Sequence, residues 1–363
     1  MERNCPYRNL PDHAVWRQAV GRRAIETILP IDASIQPIAA HARVASAGSC
    51  FAQRIAENLG ELGLEYCVTE PGPSWLAAED RRRLGYGTYS ARYGNVYTPL
   101  QLTQLLERAY GVFAPREPVW KNGSDRFVDP FRPGINDAGF VSVEECLEDR
   151  RQHLGAVREL IETADVFVFT LGLTEAWVSR ADGAVFPVCP GCGHGGTFDA
   201  ERYEFVNFDV EAVTAQLDRF LELARRHQPD LRLILSVSPV PLVATFSGQH
   251  VLTATTASKA VLRVACDELR RGHADVDYFP SYEIVQAGGP QWAFAADRRS
   301  VAPIAVAHVM ECFGLQFGLA ATPTAGNVPG SRIAARDALI PRPPLQCDED
   351  EILVAMAKER PDR

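Results

Sequence analysis

No run of apolar residues in this 363-residue chain approaches the roughly 18 that a bilayer-crossing helix needs. The opening MERNCPYRNLPDHAVW is polar and proline-bearing, without the apolar core of a secretion signal. The expectation is a cytoplasmic protein with no membrane span. A basic excess is missing too: 37 Lys and Arg stand against 46 Asp and Glu, a net charge of −9. The short run Arg81-Arg82-Arg83 follows Glu79-Asp80 and reads as a solvated helix end, so no nucleic-acid partner is expected. Nor is there a disulfide framework. Nine cysteines, at 5, 50, 67, 146, 189, 192, 266, 312 and 347, are odd in number and scattered, as reduced thiols are. Cys189-Pro-Gly-Cys192-Gly-His194 has no second Cys or His pair to complete a tetrahedral zinc site. It also sits in a Gly/Pro loop, not at the strand–helix junction of a redox dithiol. It reads as a covering loop, with His194 a histidine that the loop could lend to a site; no metal or cofactor is expected.

What is present is ordinary globular composition, 46% hydrophobic and 23% charged, enough for one large α/β domain with insertions or for two domains. Arg43–Ala47 reads as a short buried strand. Phe51, Ile55, Leu59 and Leu62 recur at helical spacing, so Phe51–Leu62 reads as a helix. Residues 70–140 are rich in proline, glycine and aromatics, including Tyr86, Tyr89, Tyr93 and Tyr97, and read as an insertion with one helix at 99–110. A helix at 142–163 precedes the apolar strand opening DVFVFTLGLTEAW, and residues 178–207 read as a second irregular insertion. Helix 209–227, strand 231–241, helix 256–271, the segment VDYFPSYEIV at 276–285 and a helix at 302–314 follow. Strands alternating with helices imply a mostly parallel sheet with helices on both faces. The division is an N-terminal extension at 1–40, a main domain at 41–318 and a Pro/Ala-rich tail at 319–363.

In such sheets ligands bind at the carboxyl ends of the strands. Three polar turns fall at such ends: Gly48-Ser49-Cys50, Gly172-Leu173-Thr174-Glu175 and Ser236-Val237-Ser238-Pro239. At the first turn of a helix the dipole and the unpaired N–H groups stabilise an anion. A cysteine there gains thiolate character. A serine gains less, because its hydroxyl needs a neighbouring base. The same N–H groups can hold the oxyanion of a tetrahedral intermediate. The competing reading is a plain βα turn with Ser49 capping the helix. Glu175 follows an apolar strand and either faces the cleft as acid, base or substrate anchor, or bonds the neighbouring turn. Ser258-Lys259 cannot act as a dyad, since adjacent helical residues diverge; Lys259 reads as a polar contact or anchor. Ser238 reads as structural.

GSCFAQRI at 48–55 resembles the GSCFA family, which belongs with the SGNH (GDSL-like) hydrolases. YRNLPDHAVWR at 7–17, ARYGNVYTPLQLTQLLERAYG at 91–111, VDPFRPG at 128–134, TLGLTEAW at 170–177, SVSPVPL at 236–242, SKAVLR at 258–263 and YFPSYEIV at 278–285 also resemble its blocks. The resemblance implies a three-layer α/β/α, flavodoxin-like fold. It lays Gly48-Ser49-Cys50 on the nucleophile turn, with Cys50 at the nucleophile position. It lays Gly172-x-Thr174 on the oxyanion block, so that Thr174 or Glu175 replaces an asparagine donor, and it makes Gly94-Asn95 the candidate for the central glycine block. An Asp-x-x-His pair is expected near the C-terminus. Asp297 is there, but Ser300 stands where the histidine should. His308, eight residues on, is about 12 Å away along a helix. His194 or His250, from the loops, could fill the place.

Beside acid/base chemistry led by Glu175 in a repurposed cleft, two functions remain open at this point. One is a hydrolase or acyltransferase for an ester, thioester or saccharide-borne acyl group, with Cys50 (or Ser49) as nucleophile and Asp297 as orienter. The other is a catalytically silent relative that binds a sugar or peptide ligand, or a partner in a biosynthetic complex.

Overall fold

A computed structural model describes residues 5–32, 34–319 and 348–359. The chain divides into two compact units, one of residues 39–278 and 344–363, the other of residues 1–38 and 279–343.

The larger unit is built on a five-stranded sheet. Its strands are β1 (Arg43–Gly48), β2 (Glu65–Tyr66), β5 (Val166–Leu171), β9 (Arg232–Val237) and β10 (Val276–Phe279), in the spatial order β2-β1-β5-β9-β10. β1 runs parallel to β2 and to β5, and β5 parallel to β9. The six residues of β5, VFVFTL, are all buried, as a strand covered on both faces must be. The order reverses direction at β1: the chain steps outward to β2, then returns to β5 and continues the other way. The crevice between the carboxyl ends of β1 and β5 is therefore the topological switch point, where open α/β sheets place their ligands.

The helices are α1 (Cys50–Leu59), α2 (Ala78–Arg83), α3 (Pro99–Ala109), α4 (Val143–Thr163), α5 (Val210–Arg225) and α6 (Val251–Gly272). α1 packs on β1, β2 and β5; α3 lies against α4 and α5, and α5 against α6. Their starts were written locally. Thr98 accepts from Gln101 N, Ser142 from Glu145 N and Asp209 from Ala212 N, each an N-cap. His250 caps α6 through Nδ1, which accepts from Leu252 N.

The region expected as the first insertion contains one layer of this frame: α3, whose buried face carries Leu102, Leu105 and Leu106, bridges α4 and α5. It also holds a hairpin of β3 (Trp120–Lys121) and β4 (Phe127–Val128). The second insertion is not irregular. Strands β6 (Glu175–Ser179), β7 (Val185–Phe186) and β8 (Tyr203–Asn207) form an antiparallel sheet in the order β7-β6-β8. Asp182-Gly183, with Gly183 at φ +75°, makes the tight turn between β6 and β7.

A buried ionic network ties the segments before α4 to that helix. Within it, His153 Nδ1 lies 2.7 Å from Glu70 Oε2, which also accepts from Arg92 N at 2.6 Å. Burial and then the nearby Arg132 charge hold His153 down to about 4, so the neutral ring donates to a charged carboxylate. Burial alone would push Glu70 up, but the hydrogen bond and charge of His153 and the charge of Arg132 outweigh it and leave it at about 2. Both groups bind fewer protons folded than unfolded, so stability is held above pH 6.5 and lost on acidification. The loss begins as pH falls from 6.5 toward 4 (His153) and continues below 4.5 (Glu70). Urea unfolding at pH 7 and pH 4.5 should differ by about 2–3 kcal/mol, and His153→Gln should remove much of that difference.

In the smaller unit α7 (Ser281–Ala287), α8 (Pro290–Ala293) and α9 (Pro303–Gln316) follow β10. Within it Phe313 packs edge-to-face with Phe279 and tilted against Phe317, and Ile38 N donates to Phe317 O at 2.9 Å. A last helix, α10 (Asp350–Glu359), belongs to the larger unit. Among the described residues no helix is long and apolar enough to cross a membrane.

Candidate active site

Gly48 ends β1 at φ +151°, and the chain turns there into α1. A side chain at this point would place its Cβ 2.5 Å from Thr170 O, so only glycine lets β1 lie this close to β5. Ser49 occupies the N-cap position but makes no capping bond, contrary to the plain-turn reading; its Oγ is buried without a hydrogen-bond partner. Cys50 is the first residue of α1 and is 4% exposed.

Residues 94–97 close over this turn. Val96 N donates to Gly48 O at 2.9 Å, and Gly172 N donates to Tyr97 O at 2.8 Å, so the ends of β1 and β5 are stitched to one loop. Gly94, at φ +69°, gives the loop its bend. Asn95 lies next in a buried polar chain. Tyr89 Oη donates to Asn95 Oδ1 at 2.5 Å and comes within 3.4 Å of Ser49 O; Gln53 Nε2 donates to Tyr89 Oη at 3.0 Å. Burial, and then the neighbouring Cys50, push the Tyr89 phenol well above its usual value, so it stays a donor. Gly94-Asn95, Gly48-Ser49-Cys50 and Gly172 thus meet at the switch point.

The β5–β6 linker is held from α6. Lys259, 1% exposed, donates Nζ to Gly172 O at 2.5 Å, and Ser258 Oγ accepts from Thr174 N at 3.0 Å. Thr174 Oγ1 donates to Asn207 Oδ1 at 2.6 Å. Glu175 Oε1 accepts from Thr245 Oγ1 at 2.5 Å and Oε2 from Phe246 N at 3.3 Å, so its carboxylate pins the 245–247 turn. Ser238 N donates to Leu171 O at 2.8 Å, which secures the end of β9.

Two cavities flank the turn. One of about 10 Å³ is lined by Ser49, Cys50, Tyr97, Gly172, Ser238 and Glu349. The other, about 200 Å³, is lined by Tyr89, Asn95, Arg132, Gly134, His194 and Asp348, among others. His194 Nε2 stands 3.9 Å from Asp348 Oδ1, and Asn95 Nδ2 donates to Asp348 Oδ2 at 2.9 Å. Burial pushes the Asp348 carboxyl up. His194 therefore reaches the wall of the site, whereas His250 is exposed at the start of α6. The two thiols of the His194 loop, Cys189 and Cys192, share a hydrogen bond and form no disulfide, and that hydrogen bond raises the Cys189 thiol. Among the described residues no group of three or more His, Cys, Asp or Glu could hold a metal ion.

Asp297 and Ser300 lie in the smaller unit and form a closed turn. Asp297 Oδ1 accepts from Arg299 N and Ser300 N, each at 2.9 Å, and Oδ2 from Ser300 Oγ at 2.6 Å. These bonds hold the carboxyl below its usual range. His308 is buried in the same unit, with Nε2 2.9 Å from Ile28 O. Sequence reasoning missed Asp348 and Glu349 altogether, because the composition after residue 319 reads as tail. It missed Gln53, whose place three residues after Cys50 on an otherwise apolar helical face was the available signal.

A family model described as the GSCFA family matches residues 43–313, more than half of the chain. No curated protein matches it.

Proposed function

The chain belongs to the GSCFA family, and from that premise we propose that it is a hydrolase or acyltransferase for an ester- or thioester-type acyl compound, with Cys50 as nucleophile. The strand order β2-β1-β5-β9-β10 supports a flavodoxin-like, SGNH-type frame, being the doubly wound 2-1-3-4-5 arrangement when the sheet strands are counted in chain order. The observation that carries the reading is the turn itself: Cys50 opens α1 at the switch point, against a cavity, beside a serine whose hydroxyl has no acceptor to activate it.

In this reading the Cys50 thiolate attacks the acyl carbon, and the first-turn N–H groups of α1 hold the resulting oxyanion. Collapse expels the leaving alkoxide or thiolate, which takes from solvent the proton that Cys50 released on ionising, and leaves an acyl-Cys50 thioester. Water or an acceptor hydroxyl then attacks the thioester, its proton passing to solvent, and frees the Cys50 thiolate. Asn95 and Lys259 hold the two loops that frame the carbonyl. Asp297 has no step here, because both of its oxygens serve the Arg299–Ser300 turn.

The test is turnover of p-nitrophenyl acetate by full-length protein, Cys50→Ala and Ser49→Ala. Cys50→Ala should lose about 10³-fold or more, the scale on which removing a nucleophile acts. Ser49→Ala should stay within a few-fold. Full turnover by Cys50→Ala overturns the assignment. A second reading, a silent ligand-binding relative, is favoured by one observation: Asp348 lines the larger cavity and Glu349 lines the small one beside Cys50. Absence of Cys50-dependent turnover, with ligand binding retained, would select it.

A further inference from the structure

We propose that the cavity walled by Asn95, Gly134 and His194 is a subsite for a carboxylate, filled in this chain by its own Asp348. The acyl compounds that reach Cys50 would then carry a carboxylate group; that last clause rests on the proposed function, the subsite does not.

Asp348 is seated as a ligand is seated. Its side chain is 12% exposed, one oxygen accepts from Asn95 Nδ2 at 2.9 Å, and the other faces His194 Nε2 at 3.9 Å. A carboxylate withdrawn this far from water is costly unless polar partners replace its hydration. Those partners are in place. Asn95 is itself fixed by Tyr89 and Gln53, so its NH2 group is aimed before any carboxylate arrives. Arg132, Asp137 and Glu351 also line the wall, the Arg132 guanidinium being already paired with Asp129 and Asp149, so the hydrogen bond from Asn95 is what the subsite offers a carboxylate.

The room is also built in. A Cβ at Gly134 would lie 2.9 Å from Asp348 Oδ1 and 3.3 Å from His194 Nε2, although no positive φ demands glycine there. Gly134 thus makes way for Asp348, whereas Gly193, at φ +75°, is called for by its backbone conformation whatever lies beside it. The subsite is joined to the nucleophile turn by a single peptide step. Asp348 lines the larger cavity and Glu349, about 3.8 Å on along the chain, lines the small one with Ser49 and Cys50. Ser49, whose buried Oγ has no hydrogen-bond partner, lines that same small cavity. A bound molecule with its carboxylate in Asp348's place would extend its next atoms toward Cys50, as the 348–349 backbone does.

The experiment is calorimetry of full-length parent and Asp348→Ala with glutarate, and with glutaramide as its neutral counterpart. Glutarate should bind Asp348→Ala at least about tenfold more tightly than the parent, which must first expel its own carboxylate. Glutaramide should not bind either. Adding Gly134→Ala to Asp348→Ala should abolish glutarate binding, since the new Cβ enters the subsite. Equal affinity for parent and Asp348→Ala, equal binding of the diamide, or binding that survives Gly134→Ala overturns the proposal. Should Asp348→Ala unfold, Asp348→Asn serves, with the same direction expected. Calorimetry does not depend on the thiol, so an unreactive Cys50 would sink the proposed chemistry and leave this result standing. As a second readout, glutarate should protect Cys50 of Asp348→Ala from iodoacetamide.

Discussion

Arg132→Met is expected to cost about 3–5 kcal/mol of unfolding free energy, the scale on which one partner is lost from a buried ion pair. The Arg132 side chain is 1% exposed and Asp129 is wholly buried. Arg132 Nε donates to Asp129 Oδ2 at 2.9 Å, and its second arm donates to Asp149 Oδ2 at 2.7 Å. Asp129 also takes Arg150 at 2.8 Å, and Asp149 takes Arg92 at 2.9 Å. Burial alone would push Asp129 up; the guanidinium groups of Arg150 and Arg132 outweigh it and hold it well below the carboxylate range. Removing Arg132 leaves one carboxylate half-paired in the interior and another facing Arg92 alone. Arg132→Lys should recover only part of the loss, because an ammonium cannot serve both carboxylates with a planar fork. The damage should reach the site as well. Arg92 belongs to the 89–97 segment that presents Tyr89 and Asn95 to Ser49, so Cys50 alkylation should change with stability. Urea unfolding curves measure the first effect, and a loss below about 1 kcal/mol would mean the network is dispensable.

None of this network is visible in the sequence. Arg132 and Asp149 are separated by the start of α4, and what pairs them is the docking of the 129–135 segment on that helix. Local signals fared differently. The strand–turn–helix at 43–59 was legible because apolar strand, glycine and helical spacing follow one another directly, and the caps at Thr98, Ser142 and Asp209 mark helix starts within a residue. The sheet at 175–207 was obscured by the Gly/Pro loop between its second and third strands, although Asp182-Gly183 and the alternation around Trp177 are hairpin signals. At the site, Gly94-Asn95 came from family likeness and lands beside the Ser49 turn. Asp348, which completes the wall, lies 253 residues from Asn95. A pairing over that distance has no periodicity to betray it.

Gly48→Ala is expected to cost about 2–5 kcal/mol and to abolish Cys50 reactivity with it, combining backbone strain and overpacking. At φ +151° a side chain is strained whatever the space, and here there is none: the new Cβ would sit 2.5 Å from Thr170 O and 2.9 Å from Thr170 Cβ. Thr170 is held inside β5, paired to β1 on one side and β9 on the other, and cannot retreat. The turn must move instead, and Ser49 and Cys50 move with it. Gly94→Ala isolates the two causes. Gly94 also has positive φ, +69°, but a Cβ there meets nothing within 4 Å. It should therefore lose only the left-handed backbone penalty, about 1–2 kcal/mol. Thermal unfolding and iodoacetamide rates for both variants decide the matter. A Gly48→Ala protein as stable as Gly94→Ala, with its thiol still reactive, would show that the contact between β1 and β5 yields. The placement of Cys50 would then owe nothing to the glycine before it.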